Sequence, residues 1–285
     1  MDHEEWSDRQ ETVSVTVDDN EVDVAYYDSG PTDGHPVVFV HGIPTWSFLW
    51  RDVVDAVPDD QRALALDLAG YGNSSRYDGF DRSIRAQEGV LAEFLDTVDA
   101  EGPITLVAHD IGGGVALRYA AHNPEQVENL VLSNAVCYDS WPVEFVSNLG
   151  LPETADLDDE ELEPKLDFAF GDGLYGDAAD HEEFVEGMKA PWLAEGGKTA
   201  LARAAVGTNT NHTTELTYEN ITAETTLLWG EDDVLQPISY AERLADDVAG
   251  DAEVVPLEDA YHWVVEDRPD AYRTELRRVL DNGEV

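Results

Sequence analysis

Ile104-Thr-Leu-Val-Ala-His-Asp-Ile-Gly-Gly-Gly114 is an apolar run, then His109-Asp110, then three glycines that open a helical pattern. A strand that turns sharply into a helix in this way forms a nucleophile elbow, which lifts one reactive side chain clear of the fold. In the frame Ala108-His109-Asp110-Ile111-Gly112 the lifted residue is an aspartate, where serine is usual. That swap narrows the chemistry. Serine attacking a saturated carbon would leave an ether, a dead end. A carboxylate attacking the same carbon leaves an ester, which water can cleave. Asp110 therefore points to substrates with an electrophilic sp3 carbon, such as alkyl halides or epoxides. The glycines lack both the spacing and the lysine of a phosphate-binding loop, and read as close packing of helix on strand beneath the turn.

Outward from this stretch, short apolar runs recur at Val37–Val40, Ala63–Leu66 and Leu130–Leu132, and later at Thr226–Trp229 and Glu253–Val255. Helical patterns lie near Phe48–Ala56, Ile84–Val98, Val115–His122, Ser239–Val248 and Asp270–Leu280. Strands alternating with helices predict a parallel sheet covered on both faces. Val13, Val15 and Val17 alternate with polar residues, as do Val22, Val24 and Tyr26, with Asp18-Asp19-Asn20 between them, which predicts an N-terminal hairpin. About 90 residues separate Leu132 from Thr226, where one crossover needs about 30. The excess predicts a helical cap at 137–217 inserted after the sixth strand, on a core formed by 1–136 and 218–285. Its acidic run, Asp156–Glu163, reads as a solvated helix face.

The 285 residues carry a formal net charge of −46, with only three lysines, Lys165, Lys189 and Lys198. The acid is spread along the whole chain. Such self-repulsion weakens a compact state in dilute buffer, and molar salt screens it to within about 3 Å. This predicts a protein of an extreme halophile. No basic stripe exists to meet nucleic acid. No apolar run reaches membrane-spanning length, and the acidic start is unlike a signal peptide. A cytoplasmic location is expected. Cys137 is the only cysteine, so an intrachain disulfide is excluded.

A carboxylate nucleophile needs a base, an orienter for the base and donors for an oxyanion. His262, just past the last predicted strand, is the candidate base. His3, His35, His122, His181 and His212 read as surface histidines. Asp233, in Gly230-Glu-Asp-Asp-Val-Leu-Gln-Pro237, is the candidate orienter, since a loop carboxylate after a buried strand can hold an imidazole. The backbone N–H groups of Ile111 and of Ile43, in His41-Gly-Ile-Pro44, are the candidate oxyanion donors. No metal or organic cofactor is implied.

Taken together, His41-Gly-Ile-Pro-Thr-Trp-Ser-Phe-Leu-Trp-Arg51, Asp67-Leu-Ala-Gly-Tyr-Gly-Asn-Ser-Ser75, Val107-Ala-His-Asp-Ile-Gly-Gly113 and the acid and histidine loops resemble the haloalkane dehalogenase and epoxide hydrolase branch of the α/β-hydrolase superfamily. The resemblance implies an α/β-hydrolase fold: a mostly parallel eight-stranded sheet with helices on both faces and the cap after strand 6. The chain order nucleophile, acid, histidine agrees with it.

The departures are informative. Dehalogenases of this branch commonly hold the leaving halide between a tryptophan after the nucleophile and an asparagine in the His-Gly-Asn-Pro motif. Here those positions are Ile111 and Ile43, whose side chains donate nothing. The indoles of Trp46, Trp141 and Trp192 are the candidate replacements and substrate-binding residues. Epoxide hydrolases use a pair of cap tyrosines, for which Tyr138, Tyr175 and Tyr218 are available. Arg203 is the one arginine of the predicted cap, which disfavours an anionic substrate. The expected activity is dehalogenase-like cleavage of a carbon–halogen bond in a small uncharged substrate, with water as co-substrate. The alternatives are epoxide hydrolysis and, from another class, non-catalytic binding of a small molecule on the same fold.

Overall fold

The computed structural model describes residues 1–17, 19–100, 102–208 and 211–281. Eight strands form one sheet: β1 Gln10–Val17, β2 Asn20–Ser29, β3 Pro36–Val40, β4 Arg62–Leu66, β5 Ile104–His109, β6 Val127–Ser133, β7 Glu224–Gly230 and β8 Ala252–Leu257. The order across the sheet is β1-β2-β4-β3-β5-β6-β7-β8. β3 to β8 run parallel, while β2 is antiparallel to both β1 and β4.

The sequence pattern explains this arrangement. β3, β4 and β5 are buried along their whole length, because helices cover both faces of a parallel sheet. The hairpin at the edge keeps its alternation, with Val13 opposite Val24 and Val15 opposite Val22. Of its predicted turn, Asp18 lies outside the described residues, and Asp19 takes a positive φ of 64°. Pro256 sits on β8, an outer strand, where a missing N–H costs least.

The helices are α1 His3–Asp8, α2 Ile84–Thr97, α3 Ile111–His122, α4 Glu144–Leu149, α5 Asp159–Asp172, α6 Glu182–Leu193, α7 Gly197–Thr208, α8 Ser239–Asp247, α9 Val264–Asp267 and α10 Pro269–Asp281. α4 to α7 all fall between β6 and β7, in the segment read as an insertion. α5 starts with a capping box between Asp158 and Glu161, which the acidic run supplies. The helix expected near Phe48–Ala56 is instead two short 3-10 turns, Ser47–Trp50 and Val54–Ala56. The buried Asp67 carboxylate, just past β4, accepts from Ser47 N at 2.8 Å and so caps the first of these turns. None of the helices among the described residues is long and apolar enough to cross a membrane.

Candidate active site

Asp110 follows β5 directly and caps α3 with φ 52° and ψ −124°, a conformation that L residues rarely adopt. The turn is tight enough to explain the glycines after it. A Cβ on Gly112 would lie 2.4 Å from the carbonyl oxygens of Val40 and His41, and one on Gly113 would lie 2.3 Å from Ala135 Cβ. Helix α3 can approach the sheet only without those side chains.

The loop after β3 comes to meet the elbow. Ile43 N donates to Asp110 Oδ1 at 2.7 Å. Gly42 makes the approach possible, because a Cβ there would sit 2.3 Å from the same oxygen. His41 braces the loop: its Nε2 accepts from Leu68 N at 2.9 Å and its Nδ1 donates to Gly42 O at 2.8 Å. Burial pushes its pKa down to about 4, so the ring stays neutral and keeps this pair of bonds.

The other two residues arrive from the next loops along the sheet. His262 Nδ1 lies 2.9 Å from Asp233 Oδ2, and its Nε2 lies 3.7 Å from Asp110 Oδ2. All three side chains are buried. Burial alone would raise the Asp233 carboxyl, but the imidazole, the Asn134 amide and Leu235 N–H outweigh it and hold it below its ordinary value. Burial likewise disfavours the His262 cation, yet the Asp233 and Asp110 carboxylates beside it raise its pKa. Asp110 is pushed up to about 6 by burial, against the pull of His262 and of the N–H groups of Ile111 and Ile43. It is therefore a carboxylate at neutral pH and a more basic one than usual.

Asp110 and His262 open on a cavity lined mainly by apolar side chains. Phe145 and Val146 of α4 and Phe168 and Ala169 of α5 contribute to it, as do Leu235 and Trp263 from the core loops. Trp263 Nε1 is taken by the carbonyl of Phe170, fastening α5 to the histidine loop.

The three tryptophans expected to receive a substrate are used otherwise. Trp141 lines the cavity, but its Nε1 donates to Thr208 O at 2.6 Å. Trp46 and Trp192 do not line it. Their indoles donate to Gly187 O at 2.9 Å and Pro44 O at 2.5 Å. None of the three N–H groups is free for a halide. The tyrosines are placed no better for an epoxide. Tyr138 donates to Asp247, Tyr218 donates to Thr213 O, and Tyr175 is exposed; none lines the cavity.

Asn134, one residue past β6, escaped the sequence reading. It is fully buried, and its amide donates to Asp233 Oδ2 at 2.5 Å while its Oδ1 accepts from Gly230 N. Asn134 so clamps the orienting acid to the end of β7. Its position after a strand, on the edge that carries the other site residues, was the signal available. His109, next to Asp110, lies with its ring centroid 4.8 Å from that of His262 and tilted by 52°, and burial drives its pKa well down, so it is a neutral neighbour.

Comparison with known proteins gives the family of the fold. The chain is 28% identical over 268 residues to haloalkane dehalogenase 2 of Mycobacterium bovis, covering 87% of each. It is 33% identical over 126 residues to a cis-3-alkyl-4-alkyloxetan-2-one decarboxylase of Xanthomonas campestris, spanning only 42% of that relative's length. An α/β hydrolase fold protein from Burkholderia ambifaria superposes with a TM-score of 0.80 at 25% identity, over 94% of this chain and 98% of that one. The sequence model of the α/β hydrolase fold matches residues 35–269. Because that match runs through the elbow, the acid and the histidine alike, the chain belongs to the α/β-hydrolase fold family.

Proposed function

We propose that the chain hydrolyses small uncharged substrates through an alkyl ester on Asp110, with cleavage of a carbon–halogen bond as the leading activity. The observation that carries this reading is the Asp110 carboxylate: Ile43 N–H grips one oxygen, and the other lies toward His262 in an apolar cavity. In the first step Asp110 Oδ2 bonds to the electrophilic carbon, and the leaving atom departs with the electron pair. In the second, His262 takes a proton from water, which attacks Asp110 Cγ. The oxyanion develops on Oδ1, between Ile43 and Ile111 N–H. Collapse releases the alkoxide, which takes the proton back from His262 to leave as the alcohol, and the Asp110 carboxyl left behind gives up its proton to solvent and is a carboxylate again. Asp233 stabilises the transient imidazolium. The helical segment 137–217 serves as the cap that keeps the cavity apolar, and the acidic surface is an adaptation to molar salt.

A second reading has a specific observation in its favour. The commitment of all three indoles to carbonyls weakens the case for a halide held in the usual way. A strained ring needs less help, because opening it releases strain. An epoxide or a four-membered lactone, the ring in the name of the Xanthomonas relative, offers a suitable sp3 C–O carbon to the same carboxylate. The intact set Asp110, Asp233 and His262 speaks against a purely binding role.

The test is to incubate the protein in molar potassium acetate with 1-bromobutane, 1-chlorohexane and styrene oxide, and to measure halide and diol. Repeated turnover in heavy-oxygen water should place label in the Asp110 carboxyl, because water attacks Cγ. Label confined to product, or unchanged activity in Asp110→Ala, would overturn the ester mechanism. Diol without halide would select ring opening.

A further inference from the structure

Among the residues that line the cavity beside Asp110 is an amide that the mechanism above leaves idle. Gln236 lines it, fully buried, three positions after Asp233. Its backbone is fixed, since its carbonyl accepts from Trp229 Nε1 at 2.7 Å. Its carboxamide is not: neither Nε2 nor Oε1 has a hydrogen-bond partner among the described residues. Buried amides are almost always paired, and one left open at both ends calls for a physical reason. The other unpartnered buried polar atoms, on Trp50, Gln61, Tyr71, Arg82 and His109, belong to residues that do not line this cavity.

We propose that the Gln236 carboxamide is the donor to the leaving atom, in place of the indole and asparagine amide that this chain lacks. The assignment rests on the reading of Asp110 as nucleophile. As the bond from Asp110 Oδ2 to carbon forms, the bond from carbon to the leaving halogen breaks and its electron pair stays on the halogen. Growing charge in an apolar cavity needs a hydrogen-bond donor that is already in place. A neutral amide suits the task. A lysine or arginine there would bind Asp110 itself and quench its basicity, whereas an amide donates to the departing anion without holding it by net charge. Asp172, at the exposed end of α5, adds a carboxylate to the lining and disfavours retention of the anion once it is released.

The experiment separates the two steps. In His262→Ala the ester should accumulate, so the rate of its formation can be read by intact mass spectrometry with 1-chlorobutane, 1-bromobutane and 1-iodobutane. Gln236→Met in that background keeps the length of the side chain and removes its donors. Gln236→Glu keeps the shape and offers a carboxylate. Loss of the donor should slow ester formation by about 10- to 100-fold, most for chloride and least for iodide, the better leaving group, and Gln236→Glu should be slower still. Should Gln236→Met fail to fold, Gln236→Glu carries the same comparison. An unchanged rate, or an equal loss for all three halides accompanied by a lower melting temperature, makes Gln236 structural and overturns the proposal. If folded His262→Ala takes up no alkyl group from any of the three, the nucleophile reading itself fails and the donor assignment falls with it.

Discussion

His262 Nε2 stands 3.7 Å from Asp110 Oδ2, beyond hydrogen-bonding distance, while its Nδ1 is held at 2.9 Å by Asp233. The imidazole is thus oriented by one acid and left free toward the other, and in the proposed mechanism it activates water rather than binding Asp110. His262→Ala should form the ester within a few-fold of the wild-type rate. It should lose hydrolysis by about 100-fold or more. Rapid-quench mass spectrometry reads both.

The pH dependence follows from Asp110. Its carboxyl titrates near 6 and attacks only when ionised, so ester formation should fall about tenfold per pH unit below that value. The charge of His262 works to lower this pKa. Removing the ring in His262→Ala should move the midpoint of ester formation to higher pH. A midpoint that stays put or moves down would contradict the electrostatics described above.

Asn134 acts on the second step through Asp233. Asn134→Gly removes the clamp and still accepts the positive φ of 44° at this site. It should cost about 1–3 kcal/mol of stability and slow ester hydrolysis more than ester formation. Denaturant melts and single-turnover rates check the two effects separately.

Gly42 and Gly89 make a matched pair. A Cβ on Gly42 would meet the Asp110 carboxylate, whereas one on Gly89, in α2, meets nothing within 4 Å. Gly42→Ala should abolish turnover by displacing the nucleophile. Gly89→Ala should leave activity intact and stabilise the fold by about 0.5–1 kcal/mol. Equal activity in both variants would show that the close approach does not matter.

Lys189 is buried with its ammonium among Glu163, Asp167 and Glu186, joining α5 to α6. Lys189→Met leaves three carboxylates facing one another in a chain already far from neutrality. The melting temperature should drop by about 4 °C or more in dilute buffer, and by much less in molar KCl, where the repulsion is screened. Wild-type stability should itself rise steeply with salt.

Much of this site could be read in the chain because of where it lies. Asp110, Asp233 and His262 each follow a strand of a parallel sheet, and such strands announce themselves as short runs of Val, Leu and Ile. The two backbone donors were legible for the same reason. What stayed hidden depends on partners remote in sequence. The indole of Trp46 finds its acceptor 141 residues away and that of Trp192 finds one 148 residues away, which no local pattern encodes. Nothing in the local sequence distinguishes Asn134 from Gln236, and only the fold shows both buried, one carboxamide bonded at both ends and the other at neither among the described residues. The stretch near Phe48–Ala56 has helical spacing, but its backbone closes in three-residue steps, Arg51 N to Phe48 O and Val53 N to Trp50 O, and forms 3-10 turns.

The bonds from Trp46 to Gly187 and from Trp192 to Pro44 run in opposite directions between the same two segments, the turn that presents Ile43 and helix α6. They act as a pair of rivets across the seam between sheet and overlying helices, and Gly187 sits so close to Phe48 that even a methyl group would foul the joint. On this side the overlying helices are tied to the turn whose Ile43 amide grips Asp110. Substitutions along α6 that break either bond should therefore shift the turn that carries the Ile43 amide and register as damage to catalysis.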